Sequence, residues 1–163
     1  MKYSLLLPKE RERVLKKDVI EKIEKELGVK IHKKENEVEI EGEGLEVLKA
    51  INVIKAIANG FSPENAFLLF DENNVLEIIE IPGDKDTRTR IKARIIGKNG
   101  LVRRNIERYT NCKVSVYEKT VSIIGPLEKV QIAKEAIEML ISGKKHSTMY
   151  KYFEALRRKG ILE

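Results

Sequence analysis

The feature that most constrains this chain is that it repeats itself. Residues 19–31 (VIEKIEKELGVKI) align with residues 102–114 (VRRNIERYTNCKV) at a constant offset of 83. The same offset pairs Glu35 with Glu118, Val38 with Val121, Ile40 with Ile123 and Gly42 with Gly125. One extra residue in the first copy then brings Leu45-Glu46 against Leu127-Glu128, and a helical pattern follows in both. Self-similarity at a fixed offset marks one structural unit used twice. A chain of 163 residues has room for two small domains.

The second copy reads as β-α-α-β-β-α. Residues 75–81 (VLEIIEI) are β-rich and closed by Pro82-Gly83, so they predict a strand ending in a turn. Residues 92–96 predict a short helix, and Gly97-Lys98-Asn99-Gly100 interrupts it. Residues 101–109 carry Val102, Ile106 and Tyr109 at helical spacing. Residues 113–117 and 120–124 flank the two-residue turn Glu118-Lys119 and form a hairpin. Pro126 opens a closing helix, where a missing N–H costs nothing, and Val130, Ala133, Ile137 and Leu140 line its buried face.

The first copy follows the same plan. Strand 3–7, helices within 14–27, hairpin strands 29–33 and 37–41, and a closing helix 45–59 are expected. Ser62-Pro63-Glu64 is a helix start, so residues 63–70 predict a short connecting helix. A terminal helix over 147–159 stops at Gly160. The expected organisation is 1–60 as first domain, 61–74 as connecting helix and linker, 75–143 as second domain and 144–163 as C-terminal helix. Each domain is α+β, with a three-stranded antiparallel sheet backed by helices.

Charge separates the copies. Residues 1–83 hold 13 basic against 17 acidic side chains, and residues 84–163 hold 19 against 9. The net +6 of the chain therefore comes from its second half, which points that half at a polyanion. Ten basic residues lie between Asp84 and Lys113, bracketing Gly97–Gly100. In the first copy the corresponding Val14-Leu15-Lys16-Lys17 has no glycine, and nine residues of the basic segment, Arg88 and Arg90 among them, have no counterpart. Its surface leans acidic, with Glu35, Glu37, Glu39, Glu41, Glu43 and Glu46 close together, which suits a structural or protein-binding role better than the alternative, a second RNA clamp.

Gly97-Lys98-Asn99-Gly100 between two short helices is similar to the GXXG loop of KH domains, which clamps about four nucleotides through their backbone. Two glycines permit a tight link and a close approach of sugar-phosphate. The following helix offers its N-terminus, and Lys98 adds a cation at the tip. Four residues alone also fit a ligand-free helix–helix turn; the flanking elements and the charge favour the clamp. Candidate RNA-binding residues are Arg88, Arg90, Lys92, Arg94, Gly97, Lys98, Asn99, Gly100, Arg103, Arg104 and Lys113, with Ile95, Ile96, Val114 and Val116 flooring a groove for bases.

Other chemistries lack their residues. There is no P-loop and no carboxylate cluster at metal spacing, and His32 and His146 belong to no nucleophile–base motif. One cysteine, Cys112, forms no internal disulfide. No catalytic residue, metal or cofactor is expected, and the absence of a long apolar run predicts a cytoplasmic protein.

The whole chain resembles the archaeal KH-domain rRNA-processing family, relatives of the eukaryotic partner of Nob-one, also called Dim-two. The matching residues are Arg94-Ile95-Ile96-Gly97-Lys98-Asn99-Gly100 running into Arg103-Arg104-Asn105-Ile106-Glu107, then Val114-Ser115-Val116-Tyr117 and residues 119–125 (KTVSIIG). The resemblance implies two tandem type I KH domains, the first without GXXG. It also implies binding of the 3′ end of small-subunit rRNA during ribosome assembly, alongside the Nob-one endonuclease and the alpha subunit of archaeal initiation factor two. Many KH domains carry an aliphatic residue where Arg103 stands, so the groove wall differs here. A general single-stranded nucleic-acid-binding or translational regulatory protein is the alternative that the same clamp would serve.

Overall fold

Glycines, caps and buried positions recur 83 residues apart through the computed structural model, which describes all 163 residues. The chain divides into two compact units, Met1–Asn74 and Val75–Glu163. In the first, β1 (Lys2–Leu6) leads through a 3-10 turn (Lys9–Val14) to α1 (Lys17–Leu27), the hairpin β2 (Lys30–Lys34) and β3 (Glu37–Glu41), and α2 (Gly44–Ala58). A short α3 (Pro63–Ala66) continues as a 3-10 turn to Phe70. The sheet order is β1-β3-β2, antiparallel throughout, with Leu5 opposite Val38 and Ile31 opposite Ile40.

The second unit contains β4 (Asn74–Glu80), α4 (Lys85–Ile96), α5 (Leu101–Thr110), β5 (Lys113–Tyr117), β6 (Thr120–Pro126), α6 (Leu127–Ile141) and α7 (His146–Arg158). Its three-stranded antiparallel sheet is ordered β4-β6-β5, with Val114 opposite Ile123. Helices back the sheet over a core in which Ile95, Ile106, Ile123 and Ile137 are fully buried. Each such side chain stabilises the unit by about 1.5–3 kcal/mol. No helix is long and apolar enough to cross a membrane.

The duplication shows in hydrogen bonds that sequence comparison does not see. Glu24 accepts the backbone N–H of Ile31 at 3.0 Å, and Glu107 accepts that of Val114 at 2.9 Å. Arg11 donates to the carbonyls of Ile57 and Phe61, and Arg94 to those of Leu140 and Lys144. Gly28 and Asn111, which end α1 and α5, are both left-handed, as are the hairpin residues Glu35 and Glu118. Gly42 admits Val29 where Gly125 admits Cys112, whose thiol lies 2.6 Å from where a Cβ on Gly125 would stand.

These pairs correct the expected one-residue slip near Leu45. The helices α2 and α6 both run 15 residues and start 83 apart. Their buried positions coincide at that offset: Val47, Ala50, Val53, Ile54 and Ile57 against Val130, Ala133, Ala136, Ile137 and Leu140. Leu45 and Leu127, which suggested the slip, are 70% and 56% exposed and so carry no register information. The offset persists through Gly60 and Gly143, both at positive φ, to Pro63 and His146, which open α3 and α7. The added helices therefore belong to the repeat.

Another correction concerns α4, which begins at Lys85 rather than at residue 92. Asp84 caps it, accepting the N–H of Thr87 at 2.8 Å. Residues 85–90 (KDTRTR) hold no apolar side chain, so a helix is there without the periodicity by which helices are read. The Thr87 backbone and hydroxyl bonds, with Arg90 and Arg88 nearby, hold the Asp84 carboxyl below its ordinary value. In the first unit a six-residue 3-10 turn stands in place of this helix.

Candidate nucleic-acid interface

The loop between α4 and α5 is a backbone device before it is a set of side chains. Gly97 closes α4, its N–H bonded to the Ala93 carbonyl at 2.8 Å. Its φ of 75° and ψ of 174° lie in a region open essentially to glycine alone. A Cβ there would also stand 2.3 Å from Val102 Cγ2 and 2.9 Å from the Val102 backbone nitrogen. Asn99 and Gly100 follow in left-handed conformation, with the Gly100 N–H on the Gly97 carbonyl at 3.1 Å. No side chain caps α5, so its N-terminal end faces the loop bare.

Lys98 and Asn99 are exposed at the tip. Arg104 reaches back from α5 to donate to the Asn99 carbonyl at 2.7 Å, so it braces the loop as well as adding charge to it. Arg103 pairs with Glu107 at 2.8 Å, and the second oxygen of Glu107 holds the Val114 N–H of β5. That bridge fixes the α5 side chain against the sheet edge. Arg88 is folded onto the Gly83 carbonyl at 2.6 Å, and Arg90 contacts the Thr87 hydroxyl at 3.3 Å. Lys92 is half-buried, and Lys113 is exposed at the start of β5.

Three of the expected residues are turned inward. Ile95 and Val114 are 0% and 4% exposed and belong to the core, so they cannot meet a base. Ile96 and Val116 stay half-open, joined by Ile91, which sequence reading passed over. Its spacing of four residues from Ile95 puts it on the same side of α4, at the margin of the core. The Arg94 guanidinium is committed to α6, donating to Leu140 at 2.6 Å and Lys144 at 2.5 Å. His146 in turn reaches the Arg94 carbonyl at 2.9 Å, which ties the end of α4 to the start of α7.

Arg94 is thus a fold residue. Arg94→Ala should cost about 2 kcal/mol in urea denaturation, because two carbonyls at a helix end lose a charged donor. Arg94→Lys should recover only part, since one ammonium replaces a fork. A loss of nucleic-acid affinity at unchanged stability would instead return Arg94 to the interface.

The first unit holds none of this geometry. At the loop position Leu15 is fully buried, and Lys16 is extended, with φ −76° and ψ 170°, as the residue that opens α1. Cys112, the single thiol, is buried, and burial pushes its pKa up.

Comparison with known proteins places this architecture. The model of the second KH domain of PNO1, described as a eukaryotic type KH-domain (KH-domain type I), matches residues 72–158, and so reaches to the end of α7. A KH domain-containing protein of Methanocaldococcus jannaschii is 45% identical, over 95% of this chain and 74% of that protein. The pre-rRNA-processing protein PNO1 of Phaeosphaeria nodorum is 30% identical over 63% of this chain, which spans only 41% of that relative's length. Among solved structures, Dim2p of Pyrococcus horikoshii matches with a TM-score of 0.87 and 40% identity, covering 95% of this chain and 99% of that one. A chain of the a/eIF2alpha–aDim2p–rRNA complex from the same organism matches with a TM-score of 0.89 and 38% identity, covering 98% and 95%. With a family model covering more than half of its residues and a relative alike over nearly its whole length, the chain belongs to the PNO1 family of eukaryotic-type (type I) KH-domain proteins.

Proposed function

We propose that the chain binds single-stranded RNA through the Gly97–Gly100 loop of its second unit, and that its target is the 3′ end of small-subunit rRNA during ribosome assembly. The observation that carries the reading is the loop itself. Gly97 is held where no other residue fits, with the bare end of α5 and the exposed Lys98 beside it. Phosphates would lie along Lys98 and the α5 N-terminus, and bases would rest on Ile91, Ile96 and Val116. The rRNA complex of the Pyrococcus relative supports the choice of RNA, and its a/eIF2alpha component supports the alpha subunit of initiation factor two as a protein partner. The Nob-one endonuclease is a further proposed partner, consistent with the pre-rRNA-processing name of the fungal relative. The role is one of binding in the cytoplasm, with no chemical step assigned to any residue. The first unit, without the glycines, serves as a structural or protein-binding partner.

Binding should be steeply salt-dependent. Each neutralised phosphate contributes about −0.7 to the log–log slope, so a clamp on about four nucleotides predicts a slope near −3. Titration of labelled single-stranded RNA at several KCl concentrations measures it, and a slope near zero would reject a phosphate clamp.

A further inference from the structure

Beyond the loop, α5 and α7 run in the same direction and leave a cleft of about 490 Å³, lined by Asn105, Arg108, Tyr109, Tyr150, Arg157 and Glu163. Side chains alone bridge it at two levels. Asn105 Nδ2 donates to the Tyr150 hydroxyl at 3.0 Å, and one turn further on the Tyr109 hydroxyl donates to Glu154 at 2.6 Å. The Tyr109 ring is backed by Phe153, stacked at 4.7 Å, and meets the Tyr150 ring at 6.3 Å with a 40° tilt. Glu154 also accepts from Arg157 at 3.1 Å, and with the Tyr109 hydroxyl this holds its carboxyl below the ordinary value. The wall is therefore preorganised.

Its remaining hydrogen-bonding capacity suits a nucleobase. Tyr150 accepts from Asn105 and keeps its own O–H to donate, while Asn105 keeps its carbonyl oxygen to accept. A donor and an acceptor beside aromatic rings are what an unstacked base edge requires. Arg108 and Arg157 line the cleft together with Glu163, so cations stand beside the place of the base. Arg104 and Arg108 are exposed one turn apart on α5, and no salt bridge takes up Arg108, which leaves it to meet a phosphate at the edge of the cleft. Arg108 stands eight residues beyond Gly100, about 12 Å along the axis, so a strand held at the loop reaches it by continuing along α5.

The first copy lacks this cleft chemistry. The residues equivalent to Asn105 and Tyr109 are Lys22 and Glu26, which close on each other as an ion pair at 3.2 Å. The copy that has the glycines is also the copy with a long α7.

We infer that the α5–α7 cleft is a second nucleotide subsite, taking a base of the RNA strand that runs on from the Gly97–Gly100 clamp, with Arg108 on its phosphate. This rests on the reading of the loop as an RNA clamp. The test compares random-sequence RNA pools of about four and about twelve nucleotides, with Arg108→Ala, the pair Asn105→Ala and Tyr150→Phe, and the pair Lys98→Asp and Asn99→Asp. Nine registers of a four-nucleotide site on twelve nucleotides give about ninefold by counting alone, so the wild type should bind the longer RNA at least about fiftyfold more tightly. Arg108→Ala and the Asn105–Tyr150 pair should each weaken the longer RNA about five- to tenfold and leave the shorter unchanged, with unaltered melting temperatures. Arg108→Ala should also reduce the long-RNA salt slope by about 0.7. Long-RNA affinities unchanged in both cleft variants, or losses equal on both lengths, would overturn the subsite. Failure of the clamp itself would show differently, as short-RNA affinity unchanged by the Lys98–Asn99 pair.

Discussion

Lys98→Asp with Asn99→Asp is expected to weaken RNA binding at least about 100-fold while leaving the melting temperature within a degree or two of the wild type. Both side chains are exposed, and neither is part of the core. Asp tolerates the left-handed conformation that Asn99 holds, so the backbone survives the change. What changes is charge. A cation beside the phosphates becomes an anion, a second anion joins it, and like-charge juxtaposition costs several kcal/mol. The same substitutions at Lys16 and Lys17, which open α1 in the first unit, should alter affinity less than about threefold. Fluorescence anisotropy with a labelled single strand, paired with thermal melting, reads both effects. Equal losses at the two loops would mean that total charge, not the glycine loop, holds the RNA.

The second large effect separates the two glycines. Gly97→Ala should destabilise the second unit by about 3 kcal/mol, because it adds a strained backbone to a collision with Val102. The collision involves the Val102 backbone nitrogen as well as its side chain, so a rotamer change cannot relieve it. Gly100→Ala should cost only about 1 kcal/mol. It is left-handed, but its nearest obstacle is the flexible tip of Arg104 at 3.1 Å. Urea denaturation with matched m-values measures both. Equal costs would mean that the loop does not fold against Val102 as described.

Much of this was legible in the sequence because it depends on local patterns. The strand-helix-hairpin-helix order, the loop glycines and the charge asymmetry follow from residue type and spacing. The first half of α4 was hidden, since residues 85–90 carry no apolar stripe and a cap at Asp84 starts the helix alone. Arg94 looked like interface because it lies three residues before Gly97. Its partners are 46 and 50 residues away, beyond any local rule. Ile95 and Val114 were apolar and adjacent to the loop, but helix phase and strand alternation turn both into the core. The equivalence of Arg11 with Arg94 had been available all along at the offset of 83; only the hydrogen bonds gave it meaning.

The proposed clamping of small-subunit rRNA near its 3′ end by the second unit can be tested in cells. Ultraviolet crosslinking in cells of the source organism, followed by sequencing of the bound RNA and mass spectrometry of the crosslinked peptides, tests it most directly. Reads concentrated at the 3′ end of small-subunit rRNA and adducts on residues 91–108 are expected. Reads spread over other RNAs would contradict the assembly role, and adducts confined to the first unit would contradict the clamp.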